Sequence, residues 1–474
     1  MNLCGNSRSA CRRSAMDYFD LVLLGAGSAS EWIWGHLAGK ELAVIESGRV
    51  GGECPYVACV PSKALLRSAH TRRLLTRAYE LGAVAGPLDV GDAAAAFTVA
   101  AARRDRVSEN RVDSSAVKEL DDSGARLYRG SGSIIGDGIV GVYSDGKLLE
   151  ELRYGTLVIN TGSSPKVPDI RGLASVPFWT SEDALSSSEL PRSLAILGGG
   201  AIGCELADVY SSFGIPVYLI ESFDHILPSE DAEVVSILKN ALQGYGVNVI
   251  EHAKVESVSW DQAEFSLALE NHKTISAERL IVATGRGPNV AGIGLETLGI
   301  TPEPGGIKVD AFCQVVGAKN VYAAGDVTGL APFTHGANYQ ARIIVDHING
   351  KAEPAFYGAI PRVVYTEPAV ASVGVYPDNA SGRFGEIVSV SMDLSSTARA
   401  VTDGDEKGLI KLFVDKRRRV LVGASAIGPN VDELISEASL AIQAGISIDL
   451  FAKMVHPFPT YSEGFEPPLR QLTV

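Results

Sequence analysis

Cysteine, positive charge and long apolar runs are all scarce in this 474-residue chain. Six cysteines in a chain of this length do not form a disulfide scaffold of the kind that small secreted domains use. The formal net charge of −14 argues against a phosphate-neutralising face, so nucleic acid is not an expected partner. No apolar run approaches the ~18 residues of a membrane-spanning helix, so no membrane partner is expected either.

The beginning of the chain lacks the pattern of a secretory signal. Three arginines lie there without an apolar segment, which predicts a cytoplasmic protein. Met16 directly precedes the first strand pattern. We therefore expect either that Met16 is the true start and the assigned start is incorrect, or that residues 1–16 are a disordered tail. Four scattered cysteines are interpreted as ordinary small thiols, buried or exposed: Cys4, Cys11, Cys204 and Cys313. Cys4 and Cys11 are too far apart for the usual two-residue metal-binding spacing, so no metal site is predicted.

Glycine, in contrast, is plentiful, and many of the fifty glycines fall in short clusters between apolar runs. Two segments share one plan: an apolar strand, a glycine turn, a helix-length stretch and a second strand that ends in an acid ~20 residues on. The first copy contains Gly25, Gly27 and Glu46, and the second contains Gly198, Gly200, Gly203 and Glu221. Ser30 stands where the first copy should have its third glycine, and its small size preserves close packing of helix on strand. Two such sites predict two bound dinucleotides, FAD and NAD(P)H.

The acid that closes the second copy indicates which nicotinamide is used. A carboxylate such as Glu221 accepts hydrogen bonds from a free ribose 2′-hydroxyl and repels a 2′-phosphate. No arginine follows closely, since the next residues are Ser222, Phe223, Asp224 and His225. The sequence therefore favours NADH over NADPH.

The pattern changes beyond residue 355. Short strands are predicted at 363–365, 387–390, 409–414 and 421–423, followed by an amphipathic helix at 430–445. A basic cluster at 416–419 lies between two of these strands and is interpreted as a solvated hairpin tip. The expected fold class is therefore α/β, with two Rossmann-like dinucleotide-binding domains and a C-terminal α+β domain.

Two cysteines, Cys54 and Cys59, lie close together between Gly51-Gly52 and Pro61-Ser62-Lys63. One helical turn can bring two cysteines at this spacing within bridging distance. Two structural thiols near a helix start are the alternative interpretation. In a cytosolic chain a close pair in these surroundings is more often catalytic.

Three further segments accompany these motifs: Thr161-Gly162 after an apolar strand, Ala283-Thr284-Gly285-Arg286-Gly287-Pro288-Asn289, and Val321-Tyr322-Ala323-Ala324-Gly325-Asp326. From about residue 17 to its end, the sequence resembles the flavoprotein disulfide reductases, the family of lipoamide dehydrogenase, glutathione reductase and mercuric reductase. The resemblance implies an FAD domain at 17–160 and 286–355, an NAD domain at 161–285, and a dimerisation domain at 356–474 that forms a homodimer.

The resemblance also implies roles by position. Cys59 is then the thiolate that contacts the flavin, Cys54 is the interchange thiol that faces the substrate, and Lys63 lies near the flavin and pairs with Glu205. The helix that begins near Thr334-His335 directs its N-terminus at the flavin ring and stabilises its reduced form, with His335 as a backbone donor only. The remaining flavin-binding positions are Gly25, Gly27, Glu46, Gly52, Gly132, Thr161, Gly162, Gly325 and Asp326. The nicotinamide-binding positions are Gly198, Gly200, Gly203, Glu221 and Gly285.

One departure concerns the segment that, in family members acting on thiols, contains His-Pro-Thr followed by Glu. Here Phe458 precedes Pro459-Thr460, so it stands at the position of the catalytic histidine. Glu463 loses the partner it would orient and is expected to be merely solvated. Loss of general acid–base help from a histidine costs roughly 10²–10⁴-fold in rate. His456, two positions earlier, is not expected to reach the cysteines. We expect a cis peptide bond before Pro459. The resemblance implies that this segment covers the partner subunit's cysteines.

The leading hypothesis is an NADH-dependent flavoprotein reductase that passes electrons through Cys54 and Cys59 to a small-molecule disulfide or other electrophile. Direct transfer from the flavin to a quinone or a second nicotinamide is the main alternative, favoured by the missing histidine. Mercury reduction is a third possibility, disfavoured because the terminal cysteine pair of mercuric reductases is missing. A non-enzymatic flavin-binding subunit is the least favoured, because both glycine fingerprints are intact.

Overall fold

The computed structural model describes residues 16–37, 39–351, 353–375, 384–404 and 407–472. Cys4, Cys11 and the predicted tail up to residue 15 lie outside the described residues. Within the described ranges, no helix is both long and apolar enough to cross a membrane.

The described chain folds into short strands and helices, and runs of consecutive strands separate the helical segments. The strands are β1 (Asp17–Leu24), β2 (Leu42–Glu46), β3 (Arg126–Arg129), β4 (Ser131–Gly136), β5 (Ile139–Ser144), β6 (Lys147–Ile159), β7 (Ser163–Pro165), β8 (Leu194–Leu197), β9 (Val217–Ile220), β10 (Val247–Ile250), β11 (Val255–Trp260), β12 (Phe265–Leu269), β13 (Thr274–Ala277), β14 (Arg279–Val282), β15 (Arg286–Pro288), β16 (Val321–Ala323), β17 (Arg362–Val364), β18 (Ala369–Gly374), β19 (Ile387–Asp393), β20 (Leu409–Asp415) and β21 (Val420–Gly428). The helices are α1 (Ser28–Trp34), α2 (Cys59–Thr76), α3 (Ala93–Val107), α4 (Ser114–Asp122), α5 (Ser181–Ser186), α6 (Ala201–Ser212), α7 (Ala232–Gly244), α8 (Thr334–Ile348), α9 (Ala398–Asp403), α10 (Val431–Gln443), α11 (Ile448–Phe451) and α12 (Glu466–Gln471).

The first of two compact units contains the described residues up to Gly52, together with Ser114–Gly162 and Pro288–Pro354. Its sheet has the order β3-β2-β1-β6-β5-β4, and β16 pairs with the end of β6. β1 runs parallel to β2 and β6, whereas β4, β5 and β6 are antiparallel. The apolar run of β1 is typical of a parallel strand that is covered on both faces. Val22 and Leu24 of β1 lie in a core with Leu157 of β6.

The second compact unit contains Glu53–Asp113, Ser163–Gly287 and the described residues from Ala355 onward. It has a parallel sheet of order β10-β9-β8-β14, an antiparallel sheet β11-β12-β13, and an antiparallel C-terminal sheet β17-β18-β21-β20-β19. Helices α2 and α3 belong to this unit, and Leu65 of α2 and Phe97 of α3 share a core with Leu206 of α6. Helix α2, which begins with the second cysteine of the close pair, therefore packs on the helix of the second glycine fingerprint.

The predicted α/β class is confirmed, because both fingerprints form a strand, a turn, a helix and a parallel strand. The C-terminal strands and helix α10 are also found where they were expected. The basic cluster at 416–419 forms the β20–β21 turn, where the Asp415 carboxylate accepts the N–H groups of Arg417 and Arg418. Tyr365, expected at the end of a strand, lies just beyond β17. β18 and the antiparallel strands β11–β13 were not predicted, because short strands carry little periodic signal.

Candidate active site

The first glycine turn is shaped for close approach of a dinucleotide. Gly25 has a φ of +99°, and a Cβ there would lie 2.3 Å from the carbonyl oxygen of Asn160. Only glycine fits such a position. The Glu46 carboxylate, at the end of β2, accepts the N–H groups of Ala26 at 2.8 Å and Gly48 at 2.5 Å. Carboxylate oxygens have two lone pairs each, so Glu46 retains acceptor capacity for a ribose hydroxyl.

Ser30 occupies the position of the missing third glycine without disturbing the turn. It is buried, and its hydroxyl donates to the carbonyl oxygen of Gly25 at 2.7 Å. Asn160, which the sequence analysis missed, lies 3.2 Å from the same hydroxyl and donates its amide to the carbonyl of Ala324 at 2.8 Å. A Cβ on Gly325 would lie 2.7 Å from the Asn160 amide nitrogen. Asn160 therefore joins the two turns that were predicted to bind FAD, and its only sequence signal is a polar residue at the end of an apolar strand.

The turn at Gly325-Asp326 is held by a second side chain that the sequence analysis missed. Gly325 has a φ of +80°, and its N–H donates to the side-chain oxygen of Gln340 at 2.7 Å. Gln340 is fully buried on α8, and its amide donates to the hydroxyl of Thr328 at 3.1 Å. The turn that presents Asp326 is thus fixed from both sides.

Helix α8 begins at Thr334 and is preceded by Phe333, whose side chain has no polar atom that could cap the helix. The outward-directed N–H groups and partial positive charge of such a terminus favour an anionic group. His335 stacks its ring on Phe333, with centroids 5.2 Å apart and planes inclined by 5°. This geometry is compatible with the expectation that His335 serves through its backbone.

Thr161-Gly162 is held by hydrogen bonds to Asn289 within the first unit. The Thr161 hydroxyl donates to the carbonyl of Asn289 at 2.7 Å, and the Asn289 amide donates to the carbonyl of Thr161 at 2.9 Å. The backbone N–H of Asn289 donates to the carbonyl of Gly162 at 2.9 Å. Asn289 therefore anchors the loop that follows β6.

Two other glycines of the first unit leave no room for a side chain. A Cβ on Gly132 would lie 2.2 Å from Cδ1 of Leu24, so the strand packs directly on β1. Gly52 has a φ of +72°, and a Cβ there would lie 3.1 Å from Cα of Gly27. These close approaches, together with the cradle at Gly25, fit a bound dinucleotide such as FAD.

The second glycine turn repeats the geometry of the first. Gly198 has a φ of +110°, and a Cβ there would lie 2.4 Å from the carbonyl oxygen of Ala283. A Cβ on Gly203 would lie 2.0 Å from the carbonyl oxygen of Gly198, so α6 packs tightly on its strand. Gly200 caps α6, and among the described residues a Cβ there would meet no atom within 4 Å; the same holds for Gly285, whose φ is +114°. Space in front of the α6 N-terminus suits a pyrophosphate.

Glu221 closes the second site as Glu46 closes the first. It is buried, and its carboxylate accepts the N–H of Gly199 at 2.7 Å and that of Phe223 at 2.9 Å. Glu46 makes the equivalent bond to the N–H of Ala26. Both turns are thus fixed by the carboxylate that is expected to read the ribose.

The cysteine motif spans a turn and the start of α2. Cys54 is half-buried in the turn, whereas Cys59 is exposed and is the first residue of the helix. The N–H of Val60 donates to the carbonyl of Cys54 at 2.9 Å, which holds the turn against the helix. Ala58, the N-cap residue, has a side chain that cannot cap, so the helix terminus directs N–H groups and partial positive charge at Cys59. Such a terminus favours a thiolate.

Lys63, one turn further along α2, forms a two-fold contact with Glu205 of α6. Its Nζ lies 2.9 Å from Oε1 and 2.8 Å from Oε2, and the Glu205 side chain is only 8% exposed. Tyr365, a residue that the sequence analysis did not assign to the site, donates its N–H to Oε1 of Glu205 at 3.0 Å, and its ring centroid lies 4.7 Å from Lys63 Nζ. Burial and then the nearby carboxylates, Asp432 first, raise the pKa of Tyr365, so its hydroxyl stays protonated at neutral pH.

The segment with the substituted histidine presents its phenyl ring to solvent in the single chain. Phe458 is 75% exposed, and the expected cis peptide bond joins it to Pro459. Glu463 is not merely solvated: its Oε2 accepts the N–H of Thr460 at 2.9 Å and caps the helical turn Tyr461–Phe465. The carboxylate that the histidine would need therefore has a structural bond of its own.

His456 points into the C-terminal domain. Its Nε2 lies 2.9 Å from Glu437 and its Nδ1 lies 3.0 Å from Glu466. Burial alone would lower the pKa of His456, but its hydrogen bonds to these two carboxylates raise it overall. His456 is committed to this contact with its two neighbours.

Comparisons with known proteins place the chain among flavoprotein reductases. Residues 19–341 match the model of the pyridine nucleotide-disulphide oxidoreductase family, and residues 360–468 match that of its dimerisation domain. The dihydrolipoyl dehydrogenase of Bacillus subtilis is 32% identical over 94% of this chain and 96% of the relative. The mercuric reductase of Staphylococcus aureus is 28% identical over 98% of this chain and 85% of the relative.

Two solved structures share the fold over nearly the whole chain. The HOCl-induced flavoprotein disulfide reductase RclA from Escherichia coli, solved as a Cu(II) complex, has a TM-score of 0.84 at 27% identity, with 96% of this chain and 100% of that chain covered. LpdA from Mycobacterium tuberculosis has a TM-score of 0.84 at 26% identity, with the same coverage. The fold agrees with the expected pair of dinucleotide-binding domains and C-terminal dimerisation domain.

Proposed function

The chain belongs to the pyridine nucleotide-disulphide oxidoreductase family, whose enzymes use FAD and NAD(P)H, and from this premise we propose that Cys54 and Cys59 are its redox-active pair. The chain is thus an FAD-dependent oxidoreductase, and its acceptor is a small disulfide or another electrophile that reacts with thiols. Cys59 is the thiolate beside the flavin, and Cys54 is the thiol that meets the acceptor.

The observation that carries this proposal is the arrangement around the start of α2. Cys59 opens the helix, so the helix terminus favours its thiolate. Lys63 supplies a positive charge one turn later and is held by both oxygens of the buried Glu205. A pair of purely structural thiols would need neither an exposed cysteine at a helix terminus nor a buried carboxylate to hold a lysine beside it.

The proposed reaction of the cysteine pair follows from the different surroundings of Cys54 and Cys59. A bound FAD would supply the hydride-accepting chemistry, so that an electron pair from NADH could reach the cysteines. Two electrons and one proton break the Cys54–Cys59 bond and leave a thiol at Cys54 and a thiolate at Cys59. Once deprotonated, Cys54 attacks the acceptor's S–S bond and releases one thiolate. Cys59 then attacks the mixed disulfide, which re-forms the internal pair and releases the second thiolate.

The proposed binding residues follow the two glycine turns. FAD is assigned to residues 17–160 and 286–355, where the contacts of Gly25, Glu46 and Gly325 support a dinucleotide site. The nicotinamide cofactor is assigned to 161–285, and the buried Glu221 supports NADH over NADPH because it repels a 2′-phosphate. The match to a dimerisation domain at 360–468 supports a homodimer built through 356–474.

The test is anaerobic reduction of the purified holoenzyme with one and then two equivalents of NADH. A flavin plus a disulfide takes up four electrons, so two equivalents should be consumed. A long-wavelength charge-transfer band should appear after the first equivalent and be absent in Cys59→Ser. Direct bleaching of the flavin after one equivalent, with no such band, would contradict the cysteine mechanism.

Direct transfer from the flavin to a quinone is the second candidate, and Phe458 favours it. An exposed phenyl ring stands where a proton-transferring histidine is expected, and it offers an apolar surface to an aromatic acceptor. Steady-state reduction of a benzoquinone that persists in a Cys54→Ser/Cys59→Ser variant would support this route over the first.

A further inference from the structure

Helix α2 is tied to α6 at two places, and the first of them is the Glu205 contact described above. Glu205 accepts a side-chain cation of α2, Lys63, and a backbone N–H, that of Tyr365. The same kind of contact, in which an α6 carboxylate accepts from α2 side chains and from one N–H of the segment after β17, is repeated further along the helices. We call the two places the Glu205 contact and the Asp208 contact.

The Asp208 contact is fully buried. Asp208 is 0% exposed and accepts Nε2 of His70 at 2.8 Å, the guanidinium of Arg73 and the N–H of Glu367 at 2.9 Å. Arg73 also lies 3.0 Å from the Glu367 carboxylate and 3.6 Å from the ring centroid of Tyr245. Burial would raise the pKa of Asp208, but the hydrogen bonds and charges of His70 and Arg73 lower it overall, so the carboxylate is ionised.

The residue spacing on both helices places the two contacts one after the other along the same α2–α6 interface. Glu205 and Asp208 are three residues apart and so share a face of α6. On α2, Lys63 and His70 are seven residues apart, two turns or about 10 Å along the axis. In addition to the apolar packing, a single polar contact lets a helix pivot or slide slightly against its neighbour, whereas two contacts about 10 Å apart oppose both movements. The Asp208 contact then sets the position of α2 and, with it, the positions of Lys63 and Cys59.

Stability alone does not account for a buried charged group at this place. Replacing a buried ion pair by apolar side chains of similar size is often neutral or stabilising, because both charges must give up their water. A fixed position of α2 is what the ionic version adds, since two side chains of α2 and one backbone N–H converge on the Asp208 carboxylate.

We propose that Asp208 is a positioning residue, which fixes α2 on α6 so that Lys63 stays on Glu205 beside Cys59. The inference rests on the proposed roles of Cys59 and Lys63. Asp208 also connects the two helices that serve the proposed reaction, because α6 belongs to the nicotinamide fingerprint and α2 begins with the proposed thiolate, Cys59.

Loss of the Asp208 charge has two effects on Cys59 that differ in sign. Through space, removal of a negative charge favours the thiolate slightly. Through position, a shift of Lys63 away from the start of α2 disfavours it. The sign of the change in the thiolate fraction of Cys59 therefore distinguishes a positioning role of Asp208 from a simple electrostatic effect. A purely structural residue would change only the unfolding temperature.

The experiment compares the wild-type holoenzyme with Asp208→Asn. Two quantities are measured after reduction: the pH at which the charge-transfer band is half-developed, and the rate of Cys59 alkylation by iodoacetamide, followed by mass spectrometry. We expect the midpoint to move to higher pH and alkylation at pH 7 to slow about threefold to tenfold. The matched control is Asp449→Asn, which removes the carboxylate of the exposed Arg419–Asp449 pair in the same unit and should change neither quantity.

Further variants sharpen the result. In a Glu205→Gln background, where Lys63 has already lost its partner, the effect of Asp208→Asn should shrink, because the two contacts act on the same lysine. If Asp208→Asn does not retain FAD, His70→Gln removes one donor, keeps Arg73 in place, and should give a smaller change of the same sign.

Three outcomes overturn the inference: an unchanged midpoint with only a lower unfolding temperature, a midpoint shifted to lower pH, or full additivity with Glu205→Gln. A wild-type enzyme that shows no band contradicts the proposed function instead. In that case the alkylation rates still decide whether Asp208 positions Cys59, because they need no flavin signal.

Discussion

Glu53, the residue immediately before Cys54, is paired with Arg286: its Oε2 lies 2.6 Å from Nη2 of the guanidinium. Arg286 is fixed in turn by Ser163, whose hydroxyl and carbonyl oxygens accept its N–H groups at 2.8 Å and 2.6 Å. A charge pair therefore stands beside the thiol that is proposed to meet the acceptor. The negative member is part of the cysteine motif itself.

The pair should influence which acceptors reach Cys54. Glu53→Gln removes the negative charge that neutralises Arg286. Anionic acceptors should therefore react faster with Cys54. In a Cys59→Ser background, the rate of Cys54 modification by a dianionic aromatic disulfide, relative to a neutral dipyridyl disulfide, should rise about threefold at low ionic strength. The gain should fade at high salt, because the pair is partly exposed. The control is Glu386→Gln in the exposed Lys416–Glu386 pair. An equal change with both reagents would mean that charge is not the cause.

Phe458→His should restore part of the missing proton transfer. Turnover with a small disulfide is expected to rise about tenfold, less than the ~10²–10⁴-fold that a well-placed base supplies. The gain is limited because the Glu463 carboxylate already accepts the N–H of Thr460 and is not dedicated to a histidine. Steady-state rates from pH 5 to 9 should show a new ionisation near neutral pH.

The control for this variant is Phe458→Asn, which removes the ring and adds no base. An equal gain in Phe458→Asn would show that the phenyl ring merely obstructs the acceptor. Quinone reduction should fall in both variants if the ring contributes an apolar surface to that reaction.

The parts of the fold that were predictable are those encoded locally. β1 with Gly25 and β8 with Gly198 could be read from the sequence, because a strand, a turn and a helix lie within about 30 residues. Asn160 and Gln340 were missed although both hold the predicted turns. Asn160 bonds Ala324, 164 residues away, and such a partner leaves no periodic trace.

The same limit applies to the surroundings of the cysteines. The Lys63–Glu205 pair was available from the resemblance, and the structure brings the two residues together. Asp208, buried in an apolar helix, had no pattern that would reveal its donors on α2. Tyr365 looked like the end of a strand, and its contact with Lys63 depends on the path of the chain after β17. Glu463 was expected to be solvated, because its bond to Thr460 requires the capping geometry.

His456 should make stability depend on pH in a defined direction. Its pKa in the folded state is raised by Glu437 and Glu466, so its contribution is complete below the ordinary histidine pKa of 6.5 and is lost as pH rises through the folded value. The unfolding temperature of the wild type should therefore exceed that of His456→Gln most at pH 6, and the difference should shrink towards pH 9. His252→Gln, at an exposed histidine beside Asp224, is the control and should show no such trend. A difference that stays constant with pH would mean that packing, and not charge, is what His456 provides.

Alanine substitutions at two glycines of the second fingerprint should affect different properties, one the stability of the fold and the other the binding of NADH. Gly203→Ala places a Cβ 2.0 Å from the carbonyl of Gly198, so α6 must shift from its strand, and the free energy of unfolding should fall by about 1–3 kcal/mol. Gly200→Ala meets no described atom within 4 Å and has a φ of −71°, so the change in stability should stay within about 0.5 kcal/mol. Its Cβ nevertheless lies at the helix terminus that a pyrophosphate would approach, and the KM for NADH should rise about tenfold. Denaturant unfolding of both variants and NADH titrations of the holoenzymes give the two quantities. If Gly200→Ala left the KM for NADH unchanged, the dinucleotide would not lie against this turn, and the nicotinamide site would have to be sought elsewhere in the second unit.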